Sequence, residues 1–147
     1  MKKKTKKPLF DPRCPGAKMI FYGAILLIVA GCINAYVSWL LVVGVLFNAA
    51  ETADVLGSTI TLCAQVALAF LVAVDAINHR NHPSKAKGII LKAFCVFAIA
   101  VILMIQGDTT SGGVSTGLVV AAFSFAGSAI LVIGGFRNAK VLGGKKK

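Results

Sequence analysis

Four apolar runs, at residues 19–47, 55–77, 88–106 and 114–136, divide the chain, and the polar residues gather in short clusters between them. Within each run the apolar residues come in blocks, without the regular gaps that mark the wet face of an amphipathic helix. A helix needs about 20 predominantly apolar residues to cross a ~30 Å hydrocarbon core. The pattern therefore predicts an all-α protein, a four-helix transmembrane bundle with short loops. The polar clusters orient it. All 16 Lys and Arg residues lie in the two tails, in the connection between the second and third runs, or just inside a run beside these zones. The other two connections carry Glu51, Asp54 and Asp108 and no basic residue. Basic residues are retained on the cytoplasmic side, so both termini are expected there. The expected organisation is a basic cytoplasmic tail at 1–18, a four-span membrane domain at 19–136 and a second basic tail at 137–147, in the plasma membrane.

Composition agrees with this plan. Of 147 residues, 57% are hydrophobic, well above ordinary soluble usage, and the connections are too short to fold as a soluble domain. A formal charge of +11 would suggest nucleic acid as the partner of a soluble protein. Confined to one side of a membrane, the charge faces anionic lipid headgroups instead, and no nucleic-acid partner is expected. Lys2, Lys3, Lys4, Lys6 and Lys7, with Lys145, Lys146 and Lys147, would each add roughly 1 kcal/mol near such a surface. Lacking apolar residues to bury, the two tails are expected to be disordered.

Cys14, Cys32, Cys63 and Cys95 are scattered, with no CxxC pair and none in an outer connection, so neither a disulfide framework nor a metal site is indicated. Three of them fall within spans as small apolar residues, whereas Cys14 lies just before the first span, where S-acylation occurs in membrane proteins. Val29-Ala30-Gly31-Cys32 resembles the lipobox of bacterial lipoproteins, which implies cleavage before Cys32 and lipidation of its thiol. The apolar run continues through Phe47, however, where a cleaved signal would give way to polar sequence. An uncleaved first helix is the expectation.

Polar residues inside spans are the usual markers of function in a membrane protein. Asp75 and Lys92 lie at equal sequence distances from the middle of the inner connection, so an antiparallel hairpin brings them to similar depth as a candidate ion pair. His79 and His82 follow Asp75 at helical spacings, but Pro83 disfavours helical angles at His82, and no metal site is expected. Asn34 and Gln65 come within about one turn of each other in depth across the first hairpin, a candidate interhelical hydrogen bond. The fourth span carries a row of small residues, Gly113, Gly117, Ala121, Ser124, Ser128 and Gly135, near the 3.5-residue period of a left-handed crossing. Gly127 and Gly134 form a second, shorter row that keeps a homo-oligomer in play.

No catalytic constellation emerges, since only Asp75 among five acidic residues lies by a span on the inner side. Neither an enzymatic activity nor a cofactor is expected. The first and third spans align at Lys18, Ile20 and Ala24 with Lys87, Ile89 and Ala93, a parallel repeat if it is one. Four-helix multidrug exporters are of similar size but carry an acidic residue in mid-helix one, where this chain has Asn34. The reading that remains is a small accessory, regulatory or protective membrane factor acting through helix contacts, with lipids and another membrane protein or a second copy as partners. A homo-oligomeric pore, a holin-like channel or a small transporter is the alternative.

Overall fold

A computed structural model describes residues 9–47, 52–107 and 116–143. These form four helices, and among the described residues there is no strand: α1 (Ala17–Phe47), α2 (Thr52–His79), α3 (Ala86–Gly107) and α4 (Thr116–Gly143), with a single 3-10 turn at Pro83–Lys85 before α3. His82 is extended, at φ −115° and ψ 96°, the conformation that a following proline enforces, and this ends α2 and turns the chain. α4 runs past residue 136 to Gly143. The expected C-terminal tail therefore begins as helix, because Asn138 is packed inside and holds that last turn against the bundle.

α1 packs on α2 and on α4, and α4 packs on α3, whereas α2 and α3 meet far less along their length. Their buried apolar cluster gathers Ile20, Leu27, Val72, Ile89, Val96 and Leu131 with Ala24, Ala73, Ala76 and Ala93 between them. Small side chains let helix backbones approach closely, the main source of association where surrounding lipid is as apolar as the core. On the α1–α4 seam the small residues are glycines. A Cβ on Gly134 would lie 2.9 Å from the Ile20 nitrogen and 3.0 Å from the Gly16 carbonyl oxygen, and one on Gly127 would lie 3.0 Å from the Gly23 carbonyl oxygen. Gly16 and Gly23 thus face Gly134 and Gly127 in antiparallel register.

Large apolar side chains lie outside. Trp39, Tyr36, Leu71, Leu91, Ile60 and Phe94 are all more than half exposed, while Asn34, Gln65, Ser124, Ser128 and Asn138 are buried. Two helices among the described residues are long and apolar enough to cross a membrane, Ala17–Leu40 of α1 and Leu118–Val141 of α4. In α2 the apolar stretch Cys63–His79 is shorter, and α3 carries Lys87 and Lys92 within its 22 residues. The four expected crossings thus reduce to two on length and apolarity.

Candidate functional site

Three polar groups interrupt the apolar packing. The first lies in mid-bundle. The Asn34 amide donates to Gln65 Oε1 at 2.9 Å, and Gln65 Nε2 donates to Ser124 Oγ at 3.3 Å, so one side chain from each of α1, α2 and α4 joins a buried chain of hydrogen bonds. Ser38 Oγ donates to the Asn34 carbonyl at 2.8 Å, a local bond along α1. One turn beyond Ser124, the buried Ser128 hydroxyl has no hydrogen-bond partner among the described residues. A buried hydroxyl without a partner costs about 1–3 kcal/mol. Ser128→Ala is therefore expected to raise stability by about 1 kcal/mol or more, whereas Ser124→Ala, which removes an acceptor of Gln65, should lower it. Unfolding midpoints in mixed micelles check both signs.

The second group lies between α2 and α3, toward the turn that joins them. Lys92 Nζ donates to Asp75 Oδ2 at 2.8 Å. His79 Nδ1 lies 3.0 Å from the Asp75 carbonyl oxygen and 3.1 Å from Asp75 Oδ1. Both neighbours are acceptors, so Nδ1 carries a proton. The His82 ring lies edge-on to the His79 ring, 6.2 Å between centroids, and among the described residues no group of three His, Cys, Asp or Glu side chains is placed to hold a metal. Above the ion pair the separation of α2 from α3 leaves an open groove of about 610 Å³, lined by Leu68, Phe70, Leu71 and Val74.

The third group was not visible in the sequence. Residues 9–16 form a strap across the end of the bundle where α2 turns into α3. Asp11 N donates to Asn81 Oδ1 at 3.1 Å, and the Leu9 carbonyl accepts from Arg80 Nε at 3.0 Å and Asn81 Nδ2 at 3.3 Å. Arg80 also donates to the Ile77 carbonyl, and its guanidinium lies 6.0 Å from the Phe10 ring centre and 5.7 Å from that of Phe21. Asn138 closes the arrangement: its Oδ1 accepts from Gly16 N at 2.8 Å and its Nδ2 donates to the Arg80 carbonyl at 2.9 Å. This part of the N-terminal segment is folded, contrary to the expectation of disorder, because its backbone groups find partners on Asn81, Arg80 and Asn138. The one available signal was Asn138, which continues the stripe Gly127, Leu131, Gly134 at the next helical step.

Cys14 belongs to the strap. It is buried, and its Sγ donates to the Asn81 carbonyl at 3.3 Å, so the thiol at the position where the sequence allows S-acylation is turned inward. Burial pushes its thiol above the ordinary pKa, and the nearby Asp11 carboxylate adds to the rise. The linked stability is fully present below the ordinary thiol pKa and is lost as pH climbs through the raised value. A water-soluble maleimide is expected to leave Cys14 unlabelled at neutral pH and to label it in alkaline solution as the strap loosens. Residue-resolved mass spectrometry reads this, and neutral-pH labelling as fast as in the unfolded chain would contradict it.

Of the small-residue row, Ala121, Ser124, Ser128 and Gly135 are buried within the bundle. Gly135 lies against α3, where a Cβ would come 2.6 Å from Ile90 Cγ1. Gly117 falls in the first turn of α4, and Gly113 lies outside the described residues. The Gly127 and Gly134 row, kept open for a second copy, is covered by α1 of the same chain. Cys32, Cys63 and Cys95 are free and lie on exposed faces, with α1 continuous through Cys32. No family model, curated protein or solved structure matches this chain.

Proposed function

We propose that the chain is a four-span integral membrane protein with both termini on the cytoplasmic side of the plasma membrane, and that it acts without catalysis, as an accessory, regulatory or protective factor working through lateral contacts in the bilayer. The observation that carries this reading is the inverted distribution of side chains. Leu71, Leu91, Phe94 and Trp39 face outward while Asn34, Gln65, Ser124 and Asn138 lie inside. In water that arrangement forfeits the hydrophobic driving force; in hydrocarbon it is the favourable one, because polar groups must be satisfied internally. α2 at 28 residues and α3 at 22 rise roughly 42 and 33 Å, enough to cross with flanking charges at the interfaces. Lys92 reaches the inner interface by extending its stem.

The non-catalytic part rests on how the polar groups are used. Asn34, Gln65 and Ser124 hydrogen-bond one another across three helices, and Asp75 is engaged by Lys92 and His79. Coverage of the Gly127 and Gly134 row by α1 favours a factor that works as a single bundle over a homo-oligomeric pore.

The test is the state of the protein in its own membrane. Alkaline carbonate should leave it in the pellet, and single-cysteine labelling should place residues near 50 and 111 outside and residue 82 inside. Release into the supernatant, or outside labelling at residue 82, would sink the topology. Native mass spectrometry of the gently extracted protein then decides between a monomer with a distinct partner and a defined homo-oligomer, the latter favouring a pore.

A further inference from the structure

α2 and α3 meet less than the other neighbouring helices, and an open groove lies along α2 with Lys92 of α3 at its end. Its wall is made of large side chains of α2, Leu68, Phe70, Leu71, Val72 and Val74; Ala69, Ala73 and Ala76 are buried in the bundle, and the exposed Ala64 and Ala67 are not among the residues that line it. A transmembrane helix docks best on small residues. A flexible hydrocarbon chain needs only an apolar channel, and about 610 Å³ lies within the roughly 300–1,000 Å³ that small-ligand sites span.

The inner mouth of the groove is polar. It ends at Asp75, Asn78 and Lys92, at the depth where, in the orientation proposed above, headgroups begin. Lys92 has three donor hydrogens; one is on Asp75 Oδ2, and half of its side chain is exposed. Asp75 has its other oxygen on His79. The donors left at the mouth therefore belong to Lys92 and the exposed Asn78 amide. That set suits an acceptor that is anionic and carries no proton of its own, as a phosphodiester does.

We propose that this groove seats one acyl chain of an inner-leaflet phospholipid, with the lipid phosphodiester held at its mouth by Lys92 and Asn78. The proposal rests on the membrane reading above. Bound lipid would fill the space that α2 and α3 leave, so the bundle would present a lipid-completed surface rather than an unfilled cleft to any partner.

The experiment incorporates the full chain into nanodiscs of equal parts phosphatidylethanolamine, phosphatidylglycerol and a galactolipid that lacks phosphate, then reads retained lipid by native mass spectrometry. The expected result is one retained phospholipid per chain, in preference to the galactolipid. Lys92→Gln should weaken retention roughly tenfold by removing a charge-assisted hydrogen bond. Leu71→Trp fills the groove from a side chain that is 69% exposed and so leaves the bundle intact, and it should abolish retention with Lys92 untouched. Wild-type retention in either variant, galactolipid held as well as phospholipid, or a second copy of the chain in the lipid's place would overturn the proposal. A chain that stays outside the disc overturns the membrane reading itself, and the lipid seat with it.

Discussion

Gly134→Leu is expected to disrupt the native bundle, and Gly16→Ala to come close to it. A side chain at 134 would have to displace the Ile20 nitrogen and the Gly16 carbonyl, 2.9 and 3.0 Å from its first carbon. A methyl at 16 would fall on the Gly134 carbonyl oxygen. Overpacking against side chains costs typically about 1–3 kcal/mol, but these obstacles are backbone atoms of helices already fixed by their own hydrogen bonds. α1 and α4 would have to separate along the seam, and with them the contacts of Ile20, Leu27 and Leu131. A loss of at least about 3 kcal/mol is expected, against total stabilities of about 5–15 kcal/mol for ordinary domains. Gly88 supplies the contrast, since a Cβ there meets nothing within 4 Å. Gly88→Ala should be neutral or should gain about 0.5–1 kcal/mol from helix propensity. Unfolding in mixed micelles, followed by circular dichroism, separates the three variants. Similar midpoints for Gly134→Leu and Gly88→Ala would mean that the α1–α4 seam does not hold the fold.

That seam also shows which information the sequence carries in readable form. The four helices are announced by apolar length and by the polar connections that end them. Depth along an antiparallel hairpin is arithmetic, and Asn34 with Gln65, and Asp75 with Lys92, are polar markers rare enough in these runs for the arithmetic to find them. Which small residue meets which neighbour is another matter. In a soluble helix a polar face declares which side is outside, but α1 and α4 are apolar all round, so the rows through Gly135 and through Gly127 and Gly134 look alike. Their assignment to α3 and α1 depends on how three helices share space. The strap was unreadable for a different reason. Leu9, Asp11 and Gly16 use mostly their backbone groups to bind Asn81, Arg80 and Asn138, and backbone groups are the same at every residue. The strap at 9–16, short and carrying two prolines, is folded because other parts of the chain satisfy its main chain.

Asn138→Leu is expected to have the second large effect, because this one side chain joins three segments distant in sequence. It is fully buried, accepting from the backbone of Gly16 at 2.8 Å and donating to the backbone of Arg80 at 2.9 Å. Leucine fills a similar volume but leaves an N–H and a carbonyl without partners, at about 1–3 kcal/mol each when buried. The expected loss is about 2–5 kcal/mol, together with release of the strap, read as labelling of Cys14 at neutral pH. Asn138→Asp separates the two bonds. A carboxylate still accepts from Gly16 but faces the Arg80 carbonyl with a second acceptor, so it should fail nearly as badly as leucine if both bonds matter and hold if only the first does. The remaining ties of the strap cannot compensate. Arg80 against Phe10 and Phe21 is a partly exposed cation–π contact, worth about 0.5–1 kcal/mol, and Asn81 holds only residues 9 to 14. With Asn138 gone, Gly16 loses its anchor at the point where α1 begins and where Gly134 must pass closest to it. The strap and the glycine seam should therefore fail together, and in the Gly134→Leu protein Cys14 should likewise become open to maleimide. A Cys14 that stays protected in Asn138→Leu would show instead that Asn81 and Arg80 hold the strap alone.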